Sequence, residues 1–120
     1  MIVSLMGCGN SNKKSNKTMR VGVVTYTADD PFINAMVEKV KSQLKTMETT
    51  NMNVIVSVRS GDNDQREQDE IVDEMIDAGC DVLCVNLVDR TAPANIIKSA
   101  RQSDIPVIFF NREPVRDDLL

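Results

Sequence analysis

The residues best suited to chemistry cluster in the stretch TYTADDPF, Thr25 to Phe32, where two carboxylates, Asp29 and Asp30, stand beside an aromatic ring, Phe32. An ionised carboxylate accepts strong, charge-assisted hydrogen bonds from hydroxyl groups. A ring offers an apolar face to a ligand's C–H groups. A purely structural explanation stands beside this one. Asp followed by Pro starts a helix well, with Asp30 as N-cap and Pro31 in the first turn, and Phe32 then becomes the first core residue of that helix. Asn111 is a second polar candidate, because it directly follows Phe109 and Phe110. Its alternative is a turn, which Asn and the nearby Pro114 both favour. Arg112 and Glu113 are expected to form a salt bridge shaping that loop. No residue in either stretch is placed as a base or nucleophile, so the chain reads as a binding protein, not an enzyme.

Other chemistries are narrowed by composition. Histidine is absent, which removes His-based triads and most zinc-enzyme arrangements. No phosphate loop of the G-x-G-x-x-G or G-x-x-x-x-G-K type occurs. The acidic stretch GDNDQREQ, Gly61 to Gln68, lacks the ligand spacing and closing Glu of a calcium loop; Asp64 or Asn63 as a helix cap accounts for it. Cys80 and Cys84 are not spaced as C-x-x-C and read as small apolar residues, so no metal or cofactor is expected. A net charge of −4, with one tyrosine and three phenylalanines, argues against a nucleic-acid partner.

These candidates need a frame to hold them. Strands are expected at RVGVVTY, NVIVSV, VLCVNLV and PVIFF, and helices over Phe32–Met47, Gln65–Ala78 and Pro93–Ser103. Gly79 is placed to stop the second helix. Strict alternation predicts an α/β fold, a Rossmann-like parallel sheet of order 2-1-3-4 with helices on both faces. Ligands of such sheets bind outside the carboxyl ends of the strands. Strands 1 and 4 would lie roughly 10 Å apart, so one small ligand could reach both Asp30 and Asn111.

The start of the chain reads differently. MIVSLM followed by Gly7-Cys8 resembles a bacterial lipoprotein signal ending in a lipobox, with Cys8 as the lipid attachment point. The expected division is a truncated signal over 1–8, a flexible Asn/Ser/Lys tether over 9–19 and a folded lobe over 20–120. No run approaches the ~20 apolar residues of a spanning helix.

Taken together, RVGVVTYTADDPF, DNDQREQ, VNLVDRTAPANIIKSAR and IPVIFFNREP resemble the periplasmic glucose/galactose-binding proteins of bacterial ABC sugar transporters. The resemblance runs from about Arg20 to the end. It implies two α/β lobes closing on a monosaccharide, with Asp30 and Asn111 bonding sugar hydroxyls and Phe32 stacking on the sugar ring. Pro31 departs from the usual pattern by placing a non-polar residue inside the motif. The family is about three hundred residues long, so this chain would supply most of the N-terminal lobe only. The second lobe's contacts, and the calcium loop of some members, would lie outside it. Implied partners are galactose or glucose, the transporter's membrane subunits and, through the lipid, the outer face of the cell membrane. A role in chemotaxis is also compatible with the resemblance.

Two other classes share the architecture. A phosphoacceptor receiver domain also carries an acidic pair after strand 1, but it needs an aspartate ending strand 3 and a lysine after a later strand. Here those strands end near Asn86 and at Asn111. The effector lobe of a sugar-responsive repressor would carry a basic helix-turn-helix ahead of strand 1, where this chain has its lipobox and tether.

Overall fold

The computed structural model describes residues 17–115. Its elements alternate as β1 (Lys17–Thr25), α1 (Pro31–Lys45), β2 (Met52–Ser60), α2 (Gln65–Asp77), β3 (Val82–Val85), α3 (Ala94–Gln102) and β4 (Val107–Phe109). All four strands pair in parallel, in the order β2-β1-β3-β4. This is the expected sheet.

Side-chain alternation along β1 divides the core. Val21 and Val23 pack on one face with Ile33 and Val37 of α1 and Val54 of β2. Val24 packs on the other face with Ile71, Val72 and Met75 of α2 and Ile96 and Ala100 of α3. A strand buried on both faces needs apolar residues at successive positions, and the valines supply them. Each helix buries one apolar stripe at helical spacing, with Ile33 and Val37 buried on α1 and Phe32 left out of its stripe.

Each boundary has a local cause. Asp30 caps α1 and Asp64 caps α2, each accepting from two backbone N–H groups of the first turn. At the far end of α2, Gly79 adopts φ 93°, the left-handed conformation that glycine tolerates best. The Cys80 N–H then reaches the Met75 carbonyl and the Gly79 N–H reaches that of Ile76, closing the helix in a Schellman arrangement.

Several boundaries differ from expectation; β2 runs on to Ser60 and β4 is only Val107–Phe109. β1 begins at Lys17, so residues 17–19 of the expected tether are strand, paired with Met52, Asn53 and Val54. α1 stops at Lys45, and Met47 beyond it is exposed. β3 stops at Val85: the Asn86 N–H still reaches the Val24 carbonyl, but the Leu87 N–H bonds the Arg112 carbonyl and the Val88 N–H bonds the Gln68 side chain. Cys8 and the expected signal lie outside the described residues.

On the α1 side, no helix among the described residues covers β3 and β4. An apolar groove of about 330 Å³ runs between Met36, Val40 and Leu44 of α1 and Val82, Cys84 and Ile108 of the sheet. Ile108 is 55% exposed there. Burial raises the Cys84 thiol's pKa, and burial with the neighbouring Asp81 charge raises that of Cys80. Both sulfurs pack against core clusters, as small apolar residues do.

Candidate functional site

The loops that follow β1, β3 and β4 leave the sheet at one edge, and two buried amides tie them together. Asn86, fully buried, follows β3. Its Oδ1 accepts from the Tyr26 N–H at 3.1 Å and its Nδ2 donates to the Phe110 carbonyl at 3.3 Å. Gln68 of α2 is equally buried. Its Nε2 donates to the carbonyls of Asn86 at 2.9 Å and Thr25 at 3.3 Å, while its Oε1 accepts from the Val88 N–H at 3.0 Å. A polar group taken out of water costs free energy unless it is bonded, and these two amides satisfy each other's surroundings. Gly61 permits the arrangement. A Cβ there would stand 2.8 Å from the Gln68 Cβ and 3.1 Å from Val88.

Asp30 sits at the tip of the first loop. Its Oδ1 accepts from the N–H groups of Phe32 at 2.9 Å and Ile33 at 3.2 Å. Its Oδ2 accepts from the Tyr26 hydroxyl at 2.7 Å. The cap and the candidate site residue are therefore the same carboxylate. A carboxylate has about four lone-pair positions, so these three bonds leave room for one more donor. The Tyr26 hydroxyl, foremost, and the helix amides hold the Asp30 carboxyl below its ordinary range, and the Arg112 charge adds to this. Asp30 is thus an anion at neutral pH.

Phe32 is 63% exposed. The expectation that it could be the first core residue of α1 fails, because Ile33 takes that place at full burial.

Asn111 follows β4 with φ 59°, a left-handed conformation that Asn adopts more readily than most residues. The turn reading therefore describes its backbone. Its side chain is exposed, and it has no hydrogen-bond partner among the described residues.

Arg112 does not pair with Glu113. Its Nε donates to the Leu87 carbonyl and its terminal nitrogen to that of Val88, both at 2.7 Å. Its guanidinium lies 4.4 Å from the centre of the Tyr26 ring. Glu113 contributes its carbonyl to Arg90 instead, at 2.7 Å. Arg112 thus ties the loop after β4 to the loops after β3 and β1. Asp89 is held below its ordinary range chiefly by the Thr91 hydroxyl and amide, which makes it a turn-former.

The structure therefore brings Asp30, Phe32 and Asn111 to one sheet edge, as the sequence suggests. It adds Tyr26, Gln68, Asn86 and Arg112 as the residues that organise that edge. A hollow of about 560 Å³ lies away from these residues, along Thr91, Pro93 and the outer face of α3. Among the described residues, no group of acidic or cysteine side chains could hold a metal ion.

Comparison with known proteins places this edge in context. Residues 21–119 match the family model described as periplasmic binding protein domain. The chain is 33% identical over 95 residues to the D-galactose/methyl-galactoside binding periplasmic protein of Haemophilus influenzae, covering 79% of this chain and 28% of that protein. It is 26% identical over 102 residues to the ribose import binding protein of Bacillus subtilis, covering 85% of this chain and 32% of the relative. This chain therefore spans about a third of the length of the curated relatives it matches. Among solved structures, an ABC transporter solute binding protein from Agrobacterium vitis with bound D-fucose superposes with a TM-score of 0.71 at 14% identity. That match covers 83% of this chain and 34% of the other. A periplasmic solute binding protein from Actinobacillus succinogenes with bound D-allose gives 0.69 at 17% identity, with the same coverage. At these identities the two structures speak for the fold, and the family model speaks for descent: this chain belongs to the periplasmic binding protein domain family.

Proposed function

We propose that this chain is the N-terminal sugar-binding lobe of a substrate-binding protein serving an ABC transporter, and that its ligand is a monosaccharide of the galactose or glucose type. The observation that carries the reading is the pairing of an oriented carboxylate, Asp30, with an exposed ring, Phe32, at the carboxyl edge of a parallel sheet. That combination suits a pyranose, whose hydroxyls donate and whose ring face is apolar. The galactose-binding relative is the reason to favour galactose. The roles are binding ones throughout: Asp30 and Asn111 take hydroxyls and Phe32 covers the ring. A receiver-domain reading needs a carboxylate at the end of β3, where the structure has the buried amide of Asn86.

One wall of a cleft binds weakly. A micromolar site has about −8 kcal/mol of binding free energy, and half of that corresponds to a dissociation constant near millimolar. Titration of the isotope-labelled chain with galactose, glucose and ribose should therefore give saturable amide shifts around Asp30, Phe32 and Asn111, with millimolar midpoints. Shifts absent at tens of millimolar of every sugar would overturn the sugar assignment. Micromolar saturation would show that the chain is a complete module.

Export and anchoring belong to the same reading. Cys8 is the proposed acylation site, and the transporter's membrane subunits and the membrane surface are the proposed partners. One lipid chain anchors only marginally, so more than one is expected on Cys8. In the producing cell the protein should sediment with membranes, and Cys8→Ala should release it. Unchanged sedimentation would end the anchoring proposal.

A further inference from the structure

We propose that Arg112 and Tyr26 are positioning residues for Asp30, a relay that runs from the end of β3 across the sheet edge and fixes one orientation of the carboxylate. The proposal rests on the reading of Asp30 as the hydroxyl acceptor, and it names the groups that prepare it.

The relay has three links, each with its own geometry. The first is the fork of Arg112 on two successive carbonyls, Leu87 and Val88, both at 2.7 Å. Two parallel bonds from a planar group fix its plane as well as its place. The second is the 4.4 Å approach of that plane to the Tyr26 ring, a contact between a cation and the electron-rich face of a phenol. The third is the 2.7 Å bond from the Tyr26 hydroxyl to Oδ2 of Asp30. The backbone of Tyr26 is held separately, by Asn86, so the ring pivots about a fixed point and Arg112 sets its angle.

Helix amides alone do not fix the carboxylate. They bond only Oδ1, which leaves the second oxygen free to rotate. Tyr26 removes that freedom, and the last acceptor position of Asp30 is then presented in one direction. Ordering a receptor group before the ligand arrives lowers the cost of binding. Arg112 therefore acts on the ligand through Tyr26 and Asp30.

Among the described residues, two titratable or charged side chains act on the Asp30 carboxyl. Tyr26 faces it from the end of β1 and Arg112 from the loop after β4; Asp29 precedes it in the chain. The hydroxyl of Tyr26 is the foremost group favouring the ionised carboxylate. Losing it raises the pH at which Asp30 takes up its proton.

The test follows the Asp30 carboxyl carbon by NMR through an acid titration of the whole 120-residue chain, with and without galactose. Tyr26→Phe keeps the ring and deletes the donor. It should move the Asp30 midpoint upward and weaken the galactose-induced shifts about fivefold to tenfold, with melting nearly unchanged. Arg112→Lys keeps the charge but loses the fork and the stacking plane. The relay predicts that it also raises the midpoint, whereas a purely electrostatic role predicts no change. A midpoint unmoved in Tyr26→Phe overturns the relay, whatever the sugar does. An unmoved midpoint in folded Arg112→Lys removes Arg112 from it. If Tyr26→Phe moves the midpoint while even the unmodified chain ignores galactose, the relay stands and the sugar reading falls.

Discussion

Gln68→Met should lower the stability of the fold by on the order of 3–5 kcal/mol. Methionine matches glutamine in length and approximate volume, so the packing against Gly61 and Val88 survives while every hydrogen bond of the amide is lost. Two carbonyls, of Thr25 and Asn86, and one N–H, of Val88, then lose a partner, and the Gln65 Nε2 group keeps only Asp69 as acceptor. Each such group costs about 1–3 kcal/mol, and a combined loss on the order of 3–5 kcal/mol follows once partial rehydration is allowed for. Small domains have only about 5–15 kcal/mol in hand. Urea unfolding read by far-ultraviolet circular dichroism would measure the change. A loss under about 1 kcal/mol would mean that water replaces the amide easily, and that Gln68 does not organise the edge.

Asp30→Asn should separate the cap from the site. Asn and Asp cap helices about equally well, so the Phe32 and Ile33 amides keep their acceptor and melting moves little. The negative charge disappears, and with it the strength of the bond to a sugar hydroxyl. Charge-assisted bonds are roughly twice as strong as neutral ones, and the expected loss in galactose affinity is about tenfold or more. From a millimolar starting point this abolishes saturation in a shift titration. The companion Phe32→Ala removes a ring that is mostly in water, so stability is again unaffected while the stacking surface is lost. If Asp30→Asn lowers the melting temperature and leaves the galactose shifts intact, Asp30 is a cap and nothing more.

The frame was readable from the sequence because its signals are local. The valines of β1, the stripe of Ile33, Val37 and Val40 on α1 and the glycine after α2 each depend on near neighbours, and every expected element is present, with its ends shifted by up to three residues. Asp30, Phe32 and Asn111 were readable because the ends of parallel strands share an edge. The organising residues were less so. Arg112 looked like a partner for the adjacent Glu113, yet its real acceptors are carbonyls exposed only when β3 ends early and the chain crosses from β4. Tyr26 looked like the end of a strand, and nothing local reports that its hydroxyl reaches Asp30. Gln68 did leave a trace: it stands three and four residues before Ile71 and Val72, on the stripe that α2 buries. A polar amide at such a position has to find partners, and here those partners are the site loops themselves.

The place of β1 has a consequence for how the protein is made. Its sequence comes first, but its position is central, between β2 and β3. On the ribosome this strand emerges before either of its neighbours exists. The bond that joins Tyr26 to Asn86 spans 60 positions, and the one from Gln68 to Thr25 spans 43. Contacts of such long range slow folding, because loop closure is paid before the contacts reward it. The edge at the ends of β1, β3 and β4 is therefore among the last features to form during synthesis, and the nascent chain carries an unsatisfied central strand until β3, ending at Val85, has cleared the exit tunnel.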